Sequence, residues 1–233
     1  MKRIVSKLLA LMLISSVSAF ADASVIRAGD YMTFGTYEQD NDYINGQEPI
    51  EWLVLDVDES YGAALLISRY GLDVMPFNKY QEDVTWENST LRSWLNGAFL
   101  DEAFSAGEKQ SIISTKNKAE NNPNYVTKAG HDTVDEVFLL SVSEADYYFS
   151  DNAARMCPVT DFALEQGAKT KPAYSVNGVS TAWWWLRTPG HSGRRAVFVD
   201  RGGDIWNGDP GGIYGENVDS EGIVVRPALW MRY

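Results

Sequence analysis

Between Asp200 and Asn217 the chain reads Asp-Arg-Gly-Gly-Asp-Ile-Trp-Asn-Gly-Asp-Pro-Gly-Gly-Ile-Tyr-Gly-Glu-Asn, a mixture of acids, amides, aromatic rings and glycines. Trp206 and Tyr214 offer flat apolar faces beside the polar side chains of Asn207, Asp209 and Asn217. A sugar needs that pairing, because its C–H face stacks on a ring while its hydroxyls bond to carboxylates and amides. The glycines let such a loop turn closely around a ligand. The same composition also fits two rings packed beneath their own loops. Upstream, His191 and Arg194 lie in Gly190-His191-Ser192-Gly193-Arg194-Arg195 and border the same region. A loop histidine is commonly a solvated surface group, and the arginines either attract an acidic ligand or balance neighbouring acids.

Cation binding is the second chemistry these residues allow. Hard cations take several oxygen ligands from a flexible loop, and Asp200, Asp204, Asp209 and Asp219 supply carboxylates, with Glu216 and Asn217 between them. Their spacing is not that of an EF-hand. Calcium is thus a cofactor the residues permit, and none is required.

Catalysis lacks its usual parts. Cys157, the single cysteine, sits in Arg-Met-Cys-Pro-Val, a setting that suits a small buried hydrophobe better than a nucleophile. It has no partner for an intramolecular disulfide. The two histidines, His131 and His191, stand in separate loops. Two carboxylates can hydrolyse a glycosidic bond, but no spacing among the 32 acids singles out a pair. No catalytic residue is assigned. The expectation is a non-catalytic module that binds a glycan or a surface protein; the alternative the residues allow is an enzyme, a carboxylate-based glycan hydrolase.

The first residues bear on where such a module works. Lys2, Arg3 and Lys7, the apolar run Leu8 to Val17, and the small residues Ala19 and Ala21 read as a secretory signal peptide over residues 1–21, cleaved near Ala21. The run is too short to span a bilayer, and no cysteine follows it for lipid attachment. Residues 22–233 are then one globular domain, secreted or periplasmic, without stable membrane insertion. Losing Lys2, Arg3 and Lys7 takes the formal charge from -12 to -15. A field of that sign repels nucleic acid.

The elements that must position these residues show in the apolar periodicity. Gly29 to Tyr37 alternates as a strand, and residues 50–68 form a β-hairpin turning at Asp58-Glu59-Ser60-Tyr61-Gly62. Leu91, Trp94, Leu95 and Phe99 share one helix face, with Asn88 or Ser89 as N-cap, which makes Trp94 a core residue. Ser105 and Glu108 form a capping box opening a short helix with Ile112 and Ile113 on its apolar side. Residues 116–133 read as an exposed loop, Val137 to Leu140 as a buried strand, and Ser143 as the cap of a helix carrying Ala145, Tyr148 and Phe149. A short helix spans Asp161 to Gln166. Three strands, at residues 182–187, 195–200 and 222–230, follow with glycine-rich loops between them, so the fold class is α+β.

Several ordered motifs carry a family resemblance. Pro49-Ile50-Glu51-Trp52, the run from Thr85 to Asn96 (Thr-Trp-Glu-Asn-Ser-Thr-Leu-Arg-Ser-Trp-Leu-Asn), Phe138-Leu139-Leu140-Ser141, Trp184-Trp185-Leu186-Arg187-Thr188-Pro189-Gly190 and Val225-Arg226-Pro227-Ala228-Leu229 together resemble the bacterial domain of unknown function 6273 across nearly the whole chain after residue 21. That family has no established activity. The resemblance implies a C-type-lectin-like plan, a fold shared by formylglycine-generating enzymes and by bacterial and phage ligand-binding proteins. Trp206-Asn207-Gly208-Asp209 is similar to the calcium-binding Trp-Asn-Asp of sugar-binding lectins, with a glycine inserted. The resemblance also implies a second enzyme alternative, a metal-dependent oxidase of the formylglycine-generating type, whose copper is held by a cysteine pair, and Cys157 is alone. Physics gives most of these motifs structural work: Trp184 and Trp185 fill opposite faces of a strand, and of Arg187 and Arg226, both in apolar surroundings, one or both are expected to make buried bidentate pairs with acids.

Overall fold

The computed structural model describes residues 26–205 and 212–233. The expected signal peptide, and Trp206, Asn207 and Asp209 of the candidate loop, lie outside the described residues. In chain order the strands are β1 Tyr31–Tyr37, β2 Glu48–Asp58, β3 Ala63–Ser68, β4 Asp73–Val74, β5 Ile112–Ile113, β6 Thr115–Asn117, β7 Thr133–Asp135, β8 Cys157–Pro158, β9 Thr170–Val176, β10 Val179–Ala182, β11 Trp184–Pro189, β12 Arg195–Val199, β13 Glu216–Asn217, β14 Val224–Val225 and β15 Ala228–Arg232. The α-helices are α1 Thr90–Trp94, α2 Leu100–Ala103, α3 Ala106–Lys109, α4 Val142–Tyr148, α5 Asn152–Arg155 and α6 Asp161–Glu165. The class is α+β.

Two five-stranded sheets carry the molecule, one ordered β1-β2-β3-β15-β5 and the other β13-β12-β11-β14-β4. The expected hairpin is β2 paired antiparallel with β3. In β2 the side chains of Ile50, Trp52 and Val54 are buried at alternate positions, while every residue of β3 is buried. The strand expected over residues 222–230 divides at Arg226 and Pro227: β14 lies parallel to β11 in the second sheet, and β15 lies antiparallel to β3 in the first. Proline has no N–H for a ladder, so the chain changes sheet there. One hydrophobic cluster runs from Tyr37 to Met231 and includes Trp52, Trp184 and Trp185.

The two motif arginines are both buried, with different partners. Arg187 makes a bidentate ion pair with Glu144, Nη2 donating to Oε1 at 2.6 Å and Nη1 to Oε2, and Nη1 also donates to the Leu139 carbonyl. Arg226 finds no carboxylate among the described residues. Its Nε donates to the Ser68 carbonyl and its Nη1 to that of Arg155, while the guanidinium lies 5.3 Å and 5.1 Å from the ring centroids of Phe149 and Trp184. Carbonyl dipoles and π faces take the place of the expected acid.

Elsewhere the chain departs from its periodicity for identifiable reasons. Ile112 and Ile113 are not on a helix: α3 stops at Lys109, and they form β5 against Met231 and Trp230. Val137 to Leu140 are buried, yet only Phe138 makes a β-bridge, to Ala228. Side chains intercept that backbone, since Asn96 bonds both the N–H and the carbonyl of Val137, and Arg187 takes the Leu139 carbonyl. The cap of α4 is Ser141 rather than Ser143, in a capping box closed by Glu144. Ser89 caps α1, and Trp94 packs against the core.

The expected loop at residues 116–133 is tied at both ends. β6 and β7 pair, and buried Asp135 at the end of β7 receives hydrogen bonds from Trp86 Nε1, Asn117 Nδ2 and Thr133 Oγ1 together with Arg92 Nε at 2.6 Å. Among the described residues no helix is long and apolar enough to cross a membrane.

Candidate functional site

Three loops meet beside the second sheet: residues 119–132 after β6, residues 190–194 between β11 and β12, and residues 212–215 before β13. Two asparagine side chains stitch them. Asn122 is buried and donates through Nδ2 to the carbonyls of Pro189 and Ile213, at 2.9 Å and 2.8 Å. Asn124 Oδ1 accepts the Ile213 N–H at 3.0 Å. The His191 N–H donates to the Tyr214 carbonyl, and Gly215, with φ of +80°, brings the backbone so close that an added Cβ would sit 2.7 Å from the Ala196 carbonyl oxygen. Only glycine fits there.

Rings converge on this scaffold. His191 stacks on Tyr214 with centroids 3.7 Å apart and planes 11° apart. Tyr125 meets both edge-on, at 5.9 Å from His191 and 6.3 Å from Tyr214. The Arg195 guanidinium lies 4.8 Å from the Tyr214 centroid. Tyr214 therefore gives much of its ring to its own neighbours, although it remains 36% exposed. His191 Nδ1 is buried and has no hydrogen-bond partner among the described residues.

Next to these rings in sequence is a recess of about 230 Å³ lined by Glu120, Asn121, Pro123, Val142, Ser143, Asp146, Thr188 and Ile213. Its walls are mixed: Pro123, Val142 and Ile213 are apolar, while two carboxylates, an amide and two hydroxyls can meet polar groups. Thr188 Oγ1 is already committed, accepting the Val142 N–H at 3.0 Å, and Ser143 Oγ donates to Glu120. Asp146 lies 3.4 Å from Arg155 and is half exposed. Capped α4 presents Val142, Ser143 and Asp146 from one rigid turn and a half.

The site residues expected from sequence separate into three groups. His191 and Tyr214 come together. Arg194 and Asn217 stand at the margin, Arg194 facing Asp83 at 3.6 Å and Asn217 paired with Arg195 across the β12–β13 ladder. Trp206, Asn207 and Asp209 lie outside the described residues. The acids expected to hold calcium do not gather where they are described. Asp200 Oδ1 instead accepts the N–H groups of Gly202 and Asp204, closing its own turn, and no three-carboxylate group forms among Asp200, Asp204 and Asp219. Among the described residues such a group occurs elsewhere, at Glu38, Asp40 and Glu48. Sequence reasoning missed Glu120, Asn122, Asn124, Tyr125, Ser143 and Asp146. The run Asn121-Asn122-Pro123-Asn124 was their signal, since amides in a turn-rich segment are suited to binding stray carbonyls.

Residues 61–233 match the family described as Domain of unknown function (DUF6273). The chain belongs to that family. Comparisons with curated proteins and with solved structures found no match. The match begins after Pro49-Ile50-Glu51-Trp52, so the DUF6273 region takes in the candidate site but not β1 and β2. Within it the motif residues serve the frame: Trp86 donates to Asp135, Trp184 Nε1 to the Arg155 carbonyl, Trp185 Nε1 to the Met75 carbonyl, and Arg187 to Glu144. In this DUF6273 protein the recess residues Glu120, Asn121, Ser143 and Asp146 lie outside the motifs, the first two in the loop after β6 and the last two on α4.

Proposed function

We propose that this protein is an exported, non-catalytic glycan-binding module with a C-type-lectin-like plan. The observation that carries the reading is the recess of about 230 Å³ whose apolar wall of Pro123, Val142 and Ile213 faces the polar side chains of Glu120, Asn121, Ser143 and Asp146. A pyranose carries both surfaces, and a pocket offering both gains from burying the C–H face without stranding the hydroxyls. The Asn122 stitching and the His191–Tyr214 stack support it, because loops held in place before binding lose less freedom when a ligand arrives. The signal-peptide reading and the acidity of the chain accord with work outside the cell membrane.

Ser143 is exposed on α4 and lines the recess, so Ser143→Trp places bulk in the recess without touching the core. Titration calorimetry against glycans selected by array is expected to show binding to the wild type and none to Ser143→Trp, with equal melting temperatures. Undiminished binding by that variant would remove the recess from the account.

A further inference from the structure

Glu38 directly follows β1 and Glu48 opens β2, so the connection between them returns on itself with Asp40 inside it. Oxygen atoms from these three carboxylates lie within 4.8 Å of one another. Backbone and amide donors tie two of them in place: Glu48 Oε2 accepts the Gln39 N–H at 2.8 Å, and Asp40 accepts the Asp42 N–H at 2.8 Å and Asn45 Nδ2 at 2.7 Å. Glu38 is different. It is only 4% exposed, and its Oε1 has no hydrogen-bond partner among the described residues. A desolvated carboxylate oxygen without a donor is costly, and a second carboxylate nearby adds repulsion.

We infer that Glu38, Asp40 and Glu48 form a binding site for one divalent cation of the calcium class. A cation there relieves the desolvated Glu38 oxygen and the carboxylate repulsion together. The donor set decides the kind of metal: three carboxylates with no histidine or cysteine suit a hard cation, whereas zinc and copper favour nitrogen and sulfur. Coordination beyond these three is completed by water or loop carbonyls, as is usual for calcium. The ion fixes the loop that presents Tyr43 and Ile44, which are 69% and 96% exposed.

Calcium chloride titrated into chelator-treated protein in a calorimeter is expected to show one equivalent bound, with a higher melting temperature in calcium than in chelator. Glu38→Gln and Asp40→Asn are each expected to weaken binding about tenfold or more. Their melting temperatures without metal should equal or exceed that of metal-free wild type, because one of three crowded charges is gone. Three results would overturn the assignment. These are no saturable binding by the wild type, binding that both variants leave unchanged, or metal-free variants that melt well below the wild type, which would make the acids structural ties for the loop.

Discussion

Asp135 shows how much of this protein rests on single buried polar atoms. Its carboxylate is fully buried and accepts from Trp86, Arg92, Asn117 and Thr133, joining the 3-10 turn Trp86–Asn88, helix α1 and both strands of the β6–β7 pair beneath the candidate loops. Asp135→Ala leaves four donors without an acceptor, one of them charged. Chemical denaturation is expected to show a loss of about 3–5 kcal/mol; a loss below about 1 kcal/mol would mean the hub is dispensable. Cys157 is the inert counterpart. Burial pushes its thiol up to about 11, so the native protein should resist iodoacetamide at about pH 8 and react once unfolded. Asp73 supplies a pH signature. Its carboxyl is raised by burial, outweighing the stabilising hydrogen bond from Tyr37 Oη at 2.6 Å. A carboxyl raised by folding contributes stability in full below its unfolded pKa of about 4 and loses it as pH climbs through the folded value. Wild type should therefore lose stability relative to Asp73→Asn as pH rises above about 4, and a difference that stays constant with pH would refute the assignment.

At the scale of elements, the short pieces hold because side chains satisfy what the ladders leave open. Gly203 is a sharp test. Its φ is +84°, an added Cβ would fall 1.7 Å from the Asn152 carbonyl oxygen, and its own carbonyl accepts from Arg155 Nε at 2.9 Å. Gly203→Ala should cost about 3 kcal/mol or more, whereas Gly29→Ala, at φ of +93° with nothing within 4 Å, should cost only about 1 kcal/mol; equal melting temperatures for the two would contradict the packing. The hairpin β2–β3, the cap at Ser89 and the box at Ser105 were legible because alternation and capping are local. The N-cap of α4 was misplaced by two residues because Ser141 and Ser143 offer the same hydroxyl, and only the reach of Glu144 back to Ser141 separates them. Val137 to Leu140 looked like a strand because burial was legible, but Asn96 and Arg187, which take its backbone bonds, come from distant sequence. The candidate site was half legible for the same reason. His191 and Tyr214 announced themselves by type, whereas Asn122 and Ser143 matter only through partners 67 and 23 residues away.

At the scale of the whole molecule, the chain puts its family motifs to work on one core and leaves an aromatic, amide-stitched loop cluster and a mixed recess on its surface. The formal charge of -12 makes neutral or basic ligands better suited than acidic ones. Binding to glycans selected on those terms should change little with salt, since hydroxyl hydrogen bonds and ring contacts are weakly screened. The most direct measurement is a glycan array probed with wild type and with Ser143→Trp side by side. The account predicts a defined set of glycans that bind the wild type and are lost with the variant, both proteins folding alike. An array on which the folded wild type binds nothing, or on which the variant keeps the same set, would contradict it.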